Sequence, residues 1–226
     1  VISRKILSGI SIYKTYWAVE NILKYIEKNT DDIEKNHPII YSEYKILMMV
    51  LEPDTVKHFH DLEKHVFQNI TRYNEDELEQ VYYSLSNYCV NKIALGEDKF
   101  INELYKIHSN FEKTGFYSKN KNLQYTDFIG VIICGLNMKH MKWVEHFFET
   151  YKGNIASEVK RDTINLSSAL IAFQNKKYRD CVGYLGKVGY KYTYFYLKSK
   201  ETLIKAYYEL GEIESLEAVI DAAKHY

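Results

Sequence analysis

The last third of the chain, Thr163 to Tyr226, constrains the fold most, because it carries one apolar pattern twice with a polar break inside each copy. Ala169, Ala172 and Phe173 precede Gln174-Asn175-Lys176-Lys177, and Tyr178, Cys181, Val182, Leu185 and Val188 follow it. Steps of three and four place these side chains on one face of a helix, and the polar interruption reads as a tight turn between two helices. The next copy sets Leu203, Ile204, Tyr207 and Tyr208 before Leu210-Gly211-Glu212, with Ile213, Leu216, Val219, Ile220 and Ala223 after it. Gly211 stands where a helix end calls for a left-handed residue.

Taking the bulky residue that opens each second helix aligns Trp143, Tyr178 and Ile213 at a constant period of 35. A fixed period in this range is the signature of stacked helical hairpins. Three residues further come His146, Cys181 and Leu216, and nine before each anchor stand Cys134, Ala169 and Ile204. The expectation is three antiparallel hairpins over Tyr125 to Tyr226, without β-sheet, and with Trp143, Tyr178 and Ile213 buried between them.

The pattern resembles the tetratricopeptide repeat (TPR) in degenerate form. Ala169, Phe173, Tyr178 and Cys181 supply its small residue late in the first helix, the aromatic before the turn, the aromatic opening the second helix and a small residue three later. No unit carries the family's tryptophan near the start of the first helix or its proline after the second. The resemblance covers about Tyr125 to Tyr226 and implies an all-α, right-handed α-solenoid of antiparallel helical hairpins. It also implies a partner-binding groove lined by first-helix residues. In the first unit these are Phe128, Val131, Gly135, Met138 and Lys139; in the second, Thr163, Leu166, Leu170, Phe173 and Gln174; in the third, Lys198, Glu201, Lys205, Tyr208 and Glu209. The lysine and asparagine that some members use to clamp a terminal carboxylate have no counterpart. On Gly96 to Phe100 and Trp143-Val144-Glu145-His146-Phe147 the chain is also similar to a group of uncharacterised bacterial helical-repeat proteins, which brings no activity with it.

Composition agrees with helices. Of 226 residues 46% are hydrophobic and 27% charged, enough to build a core and too apolar for disorder. With only Pro38, Pro53 and ten glycines, an all-β chain would lack its turns. Thirty basic residues balance thirty acidic ones, so net charge gives no reason to expect nucleic acid or an anionic membrane as the dominant partner. The 22 tyrosines suit the seams between helices, where a ring is buried and its hydroxyl reaches water. Cys89, Cys134 and Cys181 are too far apart for a zinc module or a disulfide framework. No signal peptide or membrane-length apolar run is evident, so a cytoplasmic location is expected. The chain opens at Val1 without a methionine, as part of something longer would.

In chain order, Ile6, Ile10, Tyr13, Trp17, Ile22, Tyr25 and Ile26 suggest one or two helices over Ile2 to Lys28. Pro38 suits a first helical turn, Glu52-Pro53 stops the helix that follows, and Asp54 offers an N-cap for the next. Asn74 and Glu77 have the spacing of a capping box, and Gly96 ends the helix they open. The resulting division is 1–113 as irregular hairpins, 114–124 as a polar loop, and 125–226 as three regular hairpins continuous with the first part. Because the array stops right after a second helix, with Tyr194, Phe195, Tyr196 and Leu197 in its last hairpin, an unsatisfied apolar end is expected, available to a partner chain or a homodimer.

Candidate chemistry is sparse. His58, Asp61 and His65 share a helical face, but a zinc site needs a further ligand and the neighbours Lys57, Glu63 and Lys64 suggest a solvated face. His140 and His146 flank Trp143 without a nucleophile held nearby, and Gly183, Gly186 and Gly189 lack the ending of a phosphate loop. No catalytic residue, cofactor or metal is assigned, and the chain is expected not to be an enzyme. The function expected is a protein or peptide scaffold. The alternatives are a structural portion of a larger repeat protein, an enzyme with a site dispersed in sequence, and an RNA-binding helical repeat, the last disfavoured by the neutral net charge.

Overall fold

The computed structural model describes residues 20–224, and among them every regular element is a helix. The chain divides after Gly96 into two units, Val1–Gly96 and Glu97–Tyr226. Ile2, Ile6, Ile10, Tyr13 and Trp17 lie outside the described residues.

The first unit holds α1 (20–28), α2 (Thr30–Asn36), α3 (Pro38–Leu51), α4 (Lys57–Gln68) and α5 (Glu75–Ala94). Pro38 opens α3, where its missing N–H costs nothing because the first turn has no acceptor for it. Ile26, Ile33, Tyr41, Tyr44 and Met48 pack into one cluster. Phe59, Leu62 and Val66 turn the inner face of α4 into a fully buried stripe, while Ile22 and Tyr25 of α1 stay exposed. The expected capping box forms: the Glu77 amide donates to Asn74 Oδ1 over 2.9 Å, and the Asn74 amide donates to Glu77 Oε2 over 2.8 Å. Asp54 does not cap α4, which starts at Lys57 behind Val56; its carboxylate instead pairs with the Lys92 ammonium at 3.2 Å.

The second unit holds α6 (Lys99–Lys113), α7 (Phe116–Lys119), α8 (Tyr125–Asn137), α9 (Met141–Tyr151), α10 (Lys160–Gln174), α11 (Tyr178–Leu185), α12 (Thr193–Leu210) and α13 (Ile213–Lys224). The stretch 114–124, expected as a polar loop, contains α7, and Tyr117 on it is buried against Phe147 and Tyr151. An isolated bridge between Leu123 and Ile155 ties the approach to α8 to the approach to α10, and no strand forms among the described residues.

Three helix pairs share one turn. Lys139, Lys176 and Gly211 follow the ends of α8, α10 and α12 with φ of 58°, 58° and 70°. In each turn the next amide reaches back to the helix: His140 to the Gly135 carbonyl, Lys177 to Ala172 and Glu212 to Tyr207, at 3.0, 2.9 and 3.1 Å. That is the arrangement by which a left-handed residue satisfies otherwise orphaned carbonyls. These turns lie 37 and 35 residues apart, not 35 and 35. The structural counterpart of Tyr178 and Ile213 in the first pair is therefore Met141, and Trp143 sits two positions beyond it.

Burial follows this register and corrects the expected anchors. Ile213 is 56% exposed, and Trp143 and Tyr178 are half-buried. The enclosed positions are Val144 and Cys181, each the fourth residue of its helix. The expected apolar end is also absent. Between 201 and 224 the exposed positions are mainly charged, with Glu201, Lys205, Glu209, Glu214, Glu217, Asp221 and Lys224 against only Tyr208 and Ile213 as large apolar ones. Phe195, Leu203 and Ala206 turn inward while Leu197 stays 53% exposed near the start of α12, so the face from 201 to 224 is mainly charged and gives no extended apolar patch for a homodimer. No helix among the described residues is long and apolar enough to cross a membrane.

Candidate binding cleft

Helix α9 alternates two chemistries along its length. Val144, Phe147, Phe148 and Tyr151 fall at helical spacing and are buried, which leaves Glu145 and Glu149 at the solvent edge of the same helix. Beside them α10 offers Ser168, Ile171 and Ala172, and the following turn and α11 add Asn175, Lys177, Asp180 and Tyr184. Together these side chains enclose a cleft of about 450 Å3. Its floor is apolar, from Phe148, Ile171 and Ala172. Its rim carries three carboxylates and one lysine, Lys177, and the carboxylates differ in availability: Glu149 is paired with Lys152 at 2.6 Å, whereas Glu145 and Asp180 have no ion-pair partner among the described residues.

An apolar floor beneath two uncommitted carboxylates fits a side chain with an aliphatic stem and a cationic head. Lysine and arginine combine the two, burying their methylenes while the charge stays at the surface. Asp180 lies in the first turn of α11, at the edge of the cleft.

The groove inferred from the repeat resemblance is placed differently. Phe128, Val131 and Leu166 are buried core residues and offer no surface to a partner. The reason is that α8 is packed by α6, α9 and α10, so the sides of α8 that would line a groove are already occupied. Gly135 and Thr163 are buried as well. Met138, Leu170 and Phe173 are half-buried, Phe173 against the Tyr178 ring with centroids 5.4 Å apart, and Gln174 is exposed. Lys198 and Lys205 both pair with Glu201, and Tyr208 is 71% exposed. Of the inferred stripe Lys139, Gln174, Glu201, Lys205, Tyr208 and Glu209 are exposed and Lys198 is half-buried, and the cleft instead uses neighbouring residues on another side of α10.

No family model, curated protein or solved structure matches this chain. What the site can do is therefore read from its own geometry.

The histidines named from the sequence have other employment. His58 Nε2 lies 2.9 Å from Glu52, the Asp61 carboxylate pairs with Lys45 at 2.7 Å, and buried His65 places Nε2 3.3 Å from the Pro38 carbonyl. Burial holds the His65 imidazole below its ordinary pKa. Three side chains turned to three different partners do not converge on one ion.

The group of His140, Trp143 and His146 is completed by Glu112 and Tyr105, which the sequence pattern did not bring to it. The indole N–H of Trp143 donates to Glu112 Oε2 over 2.6 Å, while His146 Nε2 approaches the other oxygen at 3.8 Å. Tyr105 stacks on His140 with centroids 4.4 Å apart and meets Trp143 edge-on at 5.0 Å. Burial, reinforced by Glu112, pushes the Tyr105 hydroxyl up in pKa. The indole N–H is thus held by a largely enclosed carboxylate on α6, Glu112 being only 12% exposed. The free thiols of Cys134 and Cys181 are buried, which pushes them up to about 12 and 11, so neither is poised as a nucleophile.

Proposed function

We propose that this chain is a non-enzymatic, protein-binding scaffold whose second unit is a short TPR-like α-solenoid, and that a partner inserts a lysine or arginine side chain into the cleft between α9, α10 and α11. The cleft carries the reading, because it pairs an apolar floor at Phe148, Ile171 and Ala172 with the unpaired carboxylates of Glu145 and Asp180. The repeat reading is supported by the three matched turns at Lys139, Lys176 and Gly211, and by the packing of α8 on α10 and of α10 on α12. Stacked hairpins leave side chains on their outer faces free to vary, which is how such arrays acquire partners.

Peptide-display selection on the immobilised protein tests this. Enriched sequences are expected to carry Lys or Arg beside an apolar residue, and Glu145→Lys with Asp180→Lys is expected to remove the enrichment without lowering the melting temperature. Enrichment of acidic or purely apolar peptides, or survival of basic ones on the double variant, contradicts the reading.

A further inference from the structure

A neutral net charge conceals a segregated one. Between Asp180 and Glu201 the chain has no carboxylate, yet it carries Lys187, Lys191, Lys198 and Lys200 among five tyrosines. This stretch forms the end of α11, the loop after it and the start of α12. The loop is held in place: the Gly189 amide donates to Asp162 Oδ1 over 3.1 Å, and a Cβ at Gly189 would stand 2.9 Å from the other oxygen of that carboxylate. Two of the tyrosines serve packing, since Tyr192 and Tyr194 gather with Phe195 around the Tyr125 ring. Tyr190 remains 46% exposed, and Tyr184 is also exposed.

The lysines are arranged on these rings. Lys200 Nζ lies 5.7 Å from the Tyr190 centroid and 5.5 Å from that of Tyr196, Lys191 lies 5.2 Å from Tyr192, and Lys187 lies 5.7 Å from Tyr184. None of Lys187, Lys191 and Lys200 has a carboxylate within ion-pair distance among the described residues, whereas Lys198 is paired with Glu201. Three uncompensated positive charges within one short stretch of chain, each seated at an aromatic ring, ask for negative charge and flat π-systems together. A single-stranded nucleic acid supplies both, phosphates for the ammonium groups and unpaired bases for the rings. An acidic peptide would satisfy the charges and leave the rings unused. A duplex has its bases already stacked.

We infer that the lysine and tyrosine surface formed by the end of α11, the α11–α12 loop and the start of α12 binds single-stranded nucleic acid; it adjoins the cleft at Tyr184, which lines both. The charge on this face rather than the charge on the whole chain sets the interaction, since screening confines it to about 10 Å at ordinary ionic strength.

The test is fluorescence anisotropy of the full chain with a labelled 12-nucleotide oligo-uridine, against a 12-base-pair duplex and a polyglutamate peptide as competitors. Saturable binding to the single strand is expected, with log Kd rising against log salt at a slope of about 2 for three phosphate contacts. Lys187→Gln, Lys191→Gln and Lys200→Gln combined should weaken it by at least about thirtyfold and flatten that slope. Tyr190→Ala should weaken it by roughly fivefold or more and leave the slope intact, as loss of a stacking ring does. Unchanged melting temperatures establish that both variants are folded; for one that is not, Lys191→Gln alone and Tyr190→Leu give the same separation. No saturable binding, equal competition by polyglutamate or duplex, or indifference to the lysine substitutions overturns the inference.

Discussion

A methyl group placed on Gly135 would stand 2.5 Å from Cγ2 of Val144, with the Trp143 ring only 2.9 Å away. The crossing of α8 and α9 depends on that missing side chain. Gly130, one face away on the same helix, has open space where its Cβ would be. Gly135→Ala should therefore destabilise by about 1–3 kcal/mol through overpacking, while Gly130→Ala should stabilise by up to about 1 kcal/mol through helix propensity. Urea unfolding of the two variants distinguishes them. Equal effects of either sign would show that α9 does not press on Gly135.

The contact between Trp143 and Glu112 gives a second test. Trp143→Phe keeps a ring but leaves Glu112 Oε2 without its donor, and a hydrogen bond to a charged group is worth about 1.5–3 kcal/mol. In a double-mutant cycle with Glu112→Leu, the pair should cost less than the sum of its members, because removing both partners leaves no orphaned carboxylate. Strict additivity would place the indole N–H in solvent.

His108 sets a pH dependence. It is buried, with Nδ1 3.2 Å from the Tyr117 hydroxyl, and burial alone pushes its pKa down to about 3. An unfolded histidine takes up its proton near pH 6.5, so below that pH the unfolded state binds a proton the folded state refuses. Its contribution is complete above about pH 6.5 and is lost as pH falls toward 3, with a slope approaching about 1.4 kcal/mol per pH unit. His108→Gln removes the titrating group. The difference in urea midpoint between pH 7 and pH 5 should shrink in this variant relative to the parent; an equal difference in both would show that the imidazole is accessible to protons when folded.

Helices were legible in this sequence wherever a local rule sufficed. Asn74 with Glu77, Pro38 at a helix start, and Gly96 and Gly211 in left-handed conformation all act within a turn of their own position, and each occupies the place its chemistry suggested. The long-range register was harder. Trp143 is the most conspicuous aromatic near the start of α9, so it attracts the alignment, yet its indole is pulled to Glu112 and the position matching Tyr178 is Met141. Lys139 and Lys176 perform the role that glycine advertises at 211, and a lysine carries no such signal. Tyr117 was hidden in 114–124 because Gly115, Ser118, Asn120 and Asn122 around it read as loop.

The candidate site fared similarly. Transferring a groove by position put Phe128, Val131 and Leu166 on it, but apolar residues at helical spacing report that a side is covered without saying by which neighbour. Glu145 and Asp180 are ordinary exposed acids in sequence, and only the packing of α9, α10 and α11 brings them to one cleft.

The central claim is that this cleft is where a partner's basic side chain enters. Amide shift mapping by NMR, with the full chain titrated by a lysine-containing peptide from the selection, addresses it most directly. The account predicts saturable shifts concentrated at Glu145, Phe148, Ser168, Ile171, Asp180 and Tyr184, abolished in the Glu145→Lys, Asp180→Lys double variant. Shifts centred elsewhere, or shifts at these residues that persist in the double variant, would contradict it.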